Sequence, residues 1–356
     1  MRDENDIIRR PITDRSAWTQ AGMEQDLSWQ HNLTPSYLAE IEAVVEGLRH
    51  NRRTLETVTR ADFPFPTFGV FLKRFLWNDI AERGVGLIRG LPIARYTPQE
   101  AGMLFWGVGT HLGLGVSQNP QGDRLGNVRS QGLDYEARNV RGYQTSHHLA
   151  FHCDPSDVVG LLCVNQAKEG GLSSVVSGTS IYNAVLAERP KYLPLLYRGF
   201  VYDRRGEEMP YQKPISDPVP VFAHVDGELS IRYVRQSMKT ARAKLGLAFT
   251  AEEQEALDFM DAVSEREDLV LSMQLEPGDM QFANNYTVLH SRTGYVDHED
   301  PAKWRHLYRL WLKVPGFRKL DPALIEYEPW SGWSRREGIL PVSAPMPKEV
   351  ADPLFV

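Results

Sequence analysis

Trp304-Arg305-His306-Leu307-Tyr308-Arg309-Leu310-Trp311-Leu312-Lys313-Val314 is the stretch from which the fold can be read. Its residues alternate, so as a strand it presents Arg305, Leu307 and Arg309 on one face and His306, Tyr308, Leu310 and Leu312 on the other. The second face is apolar enough to pack on a core. Two arginines on the first are costly to bury unless anions meet them. Taken alone, such a strand would more often be a sheet edge with solvated arginines. What turns them inward is the segment just upstream, Leu289-His290-Ser291-Arg292, which follows the turn Glu276-Pro277-Gly278-Asp279 and a short strand, Met280 to Ala283.

His290 gains its meaning from a distant partner. His152-Cys153-Asp154 puts an imidazole and a carboxylate two residues apart, which on extended backbone is one face. With ten histidines in the chain, one His-x-Asp is weak evidence by itself. Antiparallel pairing with the His290 region would complete a set of two histidines and one carboxylate, leaving three positions of an ion open. That facial arrangement suits iron(II) that must take a chelating cosubstrate and O2, whereas a structural zinc site would be closed. A guanidinium fork matches a carboxylate bidentately, and the distal carboxylate of 2-oxoglutarate needs such a clamp. His148 and His152 also stand four apart, the spacing of a helical zinc-protease motif. Leu149 follows His148 where that motif needs a glutamate, so zinc hydrolysis is set aside.

The rest of the chain restricts the alternatives. Its 356 residues can bury a full-sized core, and a net charge of −6 without any basic run argues against nucleic acid as a partner. Cys153 and Cys163 form no repeated spacing, so no disulfide framework is expected. No signal-like N-terminus or membrane-length apolar run is present, and the expected location is cytoplasmic. Thr34-Pro35 opens a helical pattern through Leu38, Ile41, Val44, Val45 and Leu48. Gly86 to Leu91 reads as a buried strand, and Thr97-Pro98-Gln99-Glu100 as a capping box. Gly-, Asn- and Gln-rich loops follow, then strands at Val158 to Val164 and Ser173 to Ser177 around Gly170-Gly171. Asp226-Gly227 marks a hairpin between Val221 to Val225 and Glu228 to Tyr233, Thr250 with Glu253 caps another helix, and Leu269 to Leu275 is a further strand. Short strands with long irregular connections favour an α+β, mainly β double-sheet jelly roll over alternating βαβ units. The expected division is a helical extension over 1–80, a catalytic domain with inserted helices over 81–320, and a tail over 321–356 packing on it.

From Gly84 to Val314 the chain resembles the taurine dioxygenase family, the 2-oxoglutarate-dependent oxygenases that include clavaminate synthase-like enzymes. The resemblance rests on Phe151-His152-Cys153-Asp154, Gly170-Gly171-Leu172-Ser173, Pro277-Gly278-Asp279, Leu289-His290-Ser291-Arg292 and Arg305 to Leu312. It implies a double-stranded β-helix with flanking helices, iron(II) held by His152, Asp154 and His290, and 2-oxoglutarate held by Arg305 and Ser173. Arg309 matches the position that meets the substrate's anionic group in the taurine enzyme, and it could equally support the cosubstrate or the local fold. Cys153 stands where many relatives have threonine. Asp154 is present, so the open halide position of the related halogenases is missing. The implied reaction is O2-dependent hydroxylation of a small organic substrate bearing a carboxylate or an amine, with no catalytic side chain needed beyond the metal ligands. Desaturation, cyclisation or epimerisation with the same cofactors, and a non-catalytic cupin-like binding protein, are the rival outcomes. Gln144, Tyr143 and Asn127, in loop-like segments, are the candidates to line the substrate pocket. Whether the protein is a homo-oligomer is left open.

Overall fold

The computed structural model describes residues 7–133, 142–209, 212–329 and 333–341. Helices α1 (Gln20–Gln25), α2 (Pro35–His50) and α3 (Phe68–Phe75) occupy the N-terminal part, with a short strand, β1 (Gln30–Asn32), between the first two. α2 begins at the expected signal: the Thr34 side chain accepts from the Tyr37 N–H, Pro35 fills the first turn, and Ile41, Val44, Val45 and Leu48 form its buried stripe. β2 (Val85–Arg89) leads into α4 (Pro98–Leu112), started by the reciprocal Thr97–Glu100 capping box, and then β3 (Leu114–Gly115) and β4 (Leu125–Val128). Next come β5 (Leu149–His152), β6 (Val158–Asn165), β7 (Glu169–Gly170) and β8 (Ser173–Ser177). α5 (Gly178–Glu188) and α6 (Leu193–Arg198) precede the hairpin β9 (Phe222–Val225) and β10 (Glu228–Ile231). Its turn residues Asp226 and Gly227 have φ of 53° and 85°, the paired positive values that a two-residue I′ turn requires. α7 (Arg235–Lys244) and α8 (Ala251–Ser264) follow, and the chain closes with β11 (Leu271–Met273), β12 (Met280–Asn284), β13 (Val288–Arg292), β14 (Tyr295–Val296) and β15 (His306–Lys313).

Two sheets result. The larger has the order β1-β2-β12-β6-β15-β3, with β4 also paired to β15, and the smaller the order β11-β8-β13-β5. Val159, Cys163, Leu307 and Trp311 of the first meet Val175, Leu271, Met273 and Val288 of the second in one inner core. Tyr308, Leu310 and Leu312 turn the other way, into a cluster shared with α2, α3 and α4. The outer side of the smaller sheet, with Phe151, Val176 and Leu289, is covered by α5, α6 and α8. Each sheet is thus apolar on both faces, the condition for a β sandwich clad in helices and consistent with a jelly roll.

The structure departs from the sequence reading in three places. The N-terminal part is not helical throughout, because β1 pairs with β2 in parallel, a geometry made reachable by the long crossover through α2 and α3. Asn127 lies in β4 and not in a loop: pairing with β15 makes a strand of a Gly/Asn segment that has little strand propensity of its own. α7 carries almost no apolar period to read, since Met238 and Ala241 are its only buried apolar residues.

Candidate active site

His290 on β13 is the direct antiparallel neighbour of His152 on β5, and the two rings stand 4.3 Å apart between centroids. Asp154, two residues past the end of β5, completes the group. Its Oδ1 lies 3.9 Å from His152 Nε2 and its Oδ2 3.5 Å from His290 Nε2. One donor atom from each of the three lies within 4.8 Å of the others, a set that could hold a metal ion. All three are drawn into the protein, with side-chain exposures of 17%, 9% and 14%.

Each donor is aimed by its surroundings. His152 Nδ1 lies 2.8 Å from the Ala150 carbonyl, which fixes the ring so that Nε2 is the free donor. Burial, and then the neighbouring His290, push its pKa down to about 4, so the ring is neutral and able to coordinate at ordinary pH. Burial raises the Asp154 pKa, but Arg309 and the two histidines outweigh it and hold the carboxyl well below its usual range. Trp311 Nε1 donates to Asp154 Oδ2 at 2.8 Å. The Asn285 side chain accepts from the Asp154 N–H and donates to Ser156, clamping the turn that carries the carboxylate. His290 Nδ1 is buried without a hydrogen-bond partner among the described residues.

Arg305 lies just before β15 with only 5% of its surface exposed. Its Nη1 is buried without a hydrogen-bond partner, and its guanidinium lies 5.1 Å from the centre of the Tyr295 ring. The Gly170-Gly171 pair explains how it fits. A Cβ on Gly171 would lie 2.9 Å from Arg305 Nε and one on Gly170 would lie 2.3 Å from the Gly294 carbonyl, while both glycines have positive φ. Ser173 faces the same interior, where its hydroxyl donates to Gln281 Oε1 at 2.7 Å. Arg292, paired with Ser173 across β13 and β8, shares the face of His290 by period two. A buried guanidinium with an unsatisfied Nη1, in the same interior as the Ser173 hydroxyl, fits the distal carboxylate of 2-oxoglutarate. The His-Asp-His donor set fits iron(II).

A cavity of about 600 Å³ opens on this centre, bordered by His152, Asp154, Arg309 and Trp311. Arg305 and Ser173 do not line it. Arg309 is engaged next to the metal group: Nε donates to Gln118 Oε1 at 2.7 Å, Nη1 lies 3.8 Å from Asp154 Oδ2, and the guanidinium stacks on Trp311 at 4.5 Å. Gln144 and Asn127 border a neighbouring cavity of about 510 Å³ that shares Gln118 and Arg309 with the first. Asn127 Oδ1 there bonds His306 Nε2 at 2.8 Å. The Tyr143 side chain lies outside the described residues.

Two helix-clad sheets enclosing a His-Asp-His face and a buried arginine define a non-haem iron oxygenase. Residues 49–311 match the taurine catabolism dioxygenase TauD, TfdA family, and the chain belongs to that family. It is therefore an oxidoreductase of the iron(II)- and 2-oxoglutarate-dependent class, and the non-catalytic reading falls away. An FR-33289 synthase of Streptomyces rubellomurinus is 36% identical over 323 residues, 90% of this chain and 95% of that one. A taurine hydroxylase-like protein of Stachybotrys chartarum is 26% identical over 89% of this chain and 86% of its own. Among solved structures, an asparagine oxygenase in complex with Fe(II), hydroxyasparagine and succinate superposes with a TM-score of 0.64 at 17% identity, covering 80% of this chain and 94% of the other. The oxygenase OrfP with Fe and alpha-ketoglutaric acid gives 0.59 at 14%, with the same coverage. No helix among the described residues is long and apolar enough to cross a membrane.

Proposed function

We propose that this protein hydroxylates an unactivated C–H bond of a small organic substrate, coupled to oxidative decarboxylation of 2-oxoglutarate, with iron(II) on His152, Asp154 and His290. The two sheets are read as a double-stranded β-helix over 81–320, to which the N-terminal extension, 1–80, adds the edge strand β1, with 321–356 as a tail. The observation that carries the functional reading is the three donor atoms within 4.8 Å of one another, two of whose residues, His152 and Asp154, line a cavity of about 600 Å³. When bound, iron(II) with chelated 2-oxoglutarate supplies the O2 activation that ends in succinate, CO2 and an oxidised carbon.

The chain's own contribution is holding and shielding. The Ala150 carbonyl orients His152, and Trp311 and Arg309 restrain one carboxylate oxygen of Asp154. Arg305 and Ser173 take the cosubstrate's distal carboxylate, replacing hydration that a buried guanidinium lacks. Substrate enters through the cavity bordered by His152 and Asp154. Anaerobic titration with iron(II) and 2-oxoglutarate, followed by the visible charge-transfer band and then by succinate on admitting O2, tests this assignment. A protein that forms neither band nor succinate refutes it. The mass of the product separates added oxygen from loss of two hydrogens.

A further inference from the structure

Part of the cavity wall is cationic in a way the reaction does not use. Its carboxylate Asp203 is taken by Lys244 at 2.7 Å, and Arg235 turns outward to Asp258 at 2.9 Å. Arg232 and Arg335 also line the cavity, as do Arg205 and Glu207. Arg232 reaches the cavity because of strand geometry. The Cys153 N–H donates to the Tyr233 carbonyl, and Ile231, Tyr233 and Cys153 all pack into the helix-covered core. Period two then sends Arg232 to the opposite side, the side of His152 and Asp154.

The counter-charge lies behind the wall. Glu326 is approached at 3.3 Å by both Arg232 Nη2 and Arg335 Nε, and at 2.9 Å by Arg204 Nη2. Arg204 has a second, outer partner in Glu328 at 3.5 Å. Glu326 does not line the cavity, so what a ligand meets is two guanidinium groups that share one carboxylate. Arg232 is 5% exposed and its Nε is buried without a hydrogen bond, whereas Arg335 Nε meets Glu326 as an ion pair. Burial lowers the Arg335 pKa to about 10, with Glu326 opposing, and leaves it charged at ordinary pH. Arg309, the position the family resemblance offers for a substrate anion, is engaged by Gln118 and Asp154.

We propose that Arg232 and Arg335 form an oxyanion subsite that takes a charged head group of the organic substrate and so aims its C–H bond at the metal. This rests on the oxygenase reading, and the experiment keeps the two apart. Calorimetric titration with inorganic phosphate, sulfate and butyrate, at ionic strength fixed with sodium chloride, is run on the metal-free protein and on the protein loaded anaerobically with iron(II) and 2-oxoglutarate. At least one probe binds the wild type in both forms, and which one it is distinguishes tetrahedral from planar head groups. Arg232→Gln and Arg335→Gln each weaken that probe by about tenfold or more, the loss of one charged hydrogen bond, with 2-oxoglutarate affinity unchanged. Arg232→Lys keeps a charge towards Glu326, so it serves if the glutamine variants do not fold, and it binds the probe more weakly than wild type. Absence of binding by every probe, or wild-type affinity in the folded variants, overturns the subsite. Failure of the charge-transfer band overturns the oxygenase reading instead, and the metal-free titration still reports on the arginines.

Discussion

Replacing Asp157 by asparagine tests how the C-terminal segment is held against the active site. Asp157 is fully buried and accepts four hydrogen bonds: from Arg336 Nε and Nη2, both at 2.7 Å, from Tyr286 Oη at 3.0 Å and from the Val314 N–H at 2.7 Å. One carboxylate thereby ties the loop after Asp154 to the end of β15 and to the turn at Arg335–Glu337. Arg336 is itself only 2% exposed, so Asp157→Asn removes the carboxylate that faces a buried cation. Breaking one partner of a buried pair costs about 3–5 kcal/mol. With an unfolding entropy of about 2.1 cal/mol/K per residue, 356 residues give roughly 0.75 kcal/mol/K, which converts that cost into a fall in Tm of about 4–7 °C. Scanning calorimetry or a circular-dichroism melt reads it directly. In the double variant Asp157→Leu/Arg336→Met neither charge is buried, and the part of the loss due to the cation is recovered, while Tyr286 Oη and the Val314 N–H still lack their acceptor. A Tm within about 1 °C of wild type for Asp157→Asn would refute the claim that this pair anchors the segment.

His152→Ala or Asp154→Ala abolishes O2-dependent succinate formation while circular dichroism stays native; undiminished succinate would remove the metal assignment. Arg305→Ala removes the charged clamp on 2-oxoglutarate and raises its dissociation constant by about a hundredfold, from the loss of roughly 3 kcal/mol of charged hydrogen bonding, and an unchanged constant would move the clamp elsewhere. Trp311→Phe deletes the indole donor to Asp154 and lowers iron(II) affinity by about 10- to 100-fold in a metal titration. Hydrogen bonding to Arg49 is the main cause that draws the Glu100 carboxyl down to about 2, against an ordinary value of 4.5. Its stabilisation is complete above pH 4.5 and lost as pH falls towards 2; Glu100→Gln should abolish about 1 kcal/mol of that loss, a value reduced for the exposed Arg49, as read from urea midpoints at both ends.

The parts of the fold legible in the sequence are those whose determinants lie a few residues apart. Thr34-Pro35, the Thr97–Glu100 and Thr250–Glu253 boxes and Asp226-Gly227 each act within one turn, and all four mark the elements observed. The alternation of β15 separates Leu307 from Tyr308, Leu310 and Leu312 as expected, and the same period puts Trp311 on the face of Arg309, although its bond to Asp154, 157 positions away, could not be read from it. The His152–His290 pairing was legible as well, because a two-residue ligand motif and a later histidine strand suffice to suggest it. What escaped is held by residues far apart in the chain. Gln118 reaches Arg309 across 191 positions, Asn285 reaches Asp154 across 131, and Arg336 reaches Asp157 across 179. A lone amide or carboxylate in sequence carries no sign of which strand end it will meet.

The C-terminal turn shows how stability and recognition are linked in this protein. Arg336 and Arg335 are adjacent on one short 3-10 turn, the first fastened to Asp157 and the second facing the cavity beside Arg232. Asp157 is also three residues from Asp154, so the same carboxylate that anchors the turn braces the loop that carries a metal donor. Loosening it should therefore move both walls of the cavity. Asp157→Asn is expected to weaken phosphate or sulfate binding about as much as Arg335→Gln, by tenfold, although it contacts neither the cavity nor the probe. Equal anion affinity in wild type and a folded Asp157→Asn variant would show that Arg335 is positioned without this anchor, by its bond to Glu326 and the Ile325 carbonyl alone.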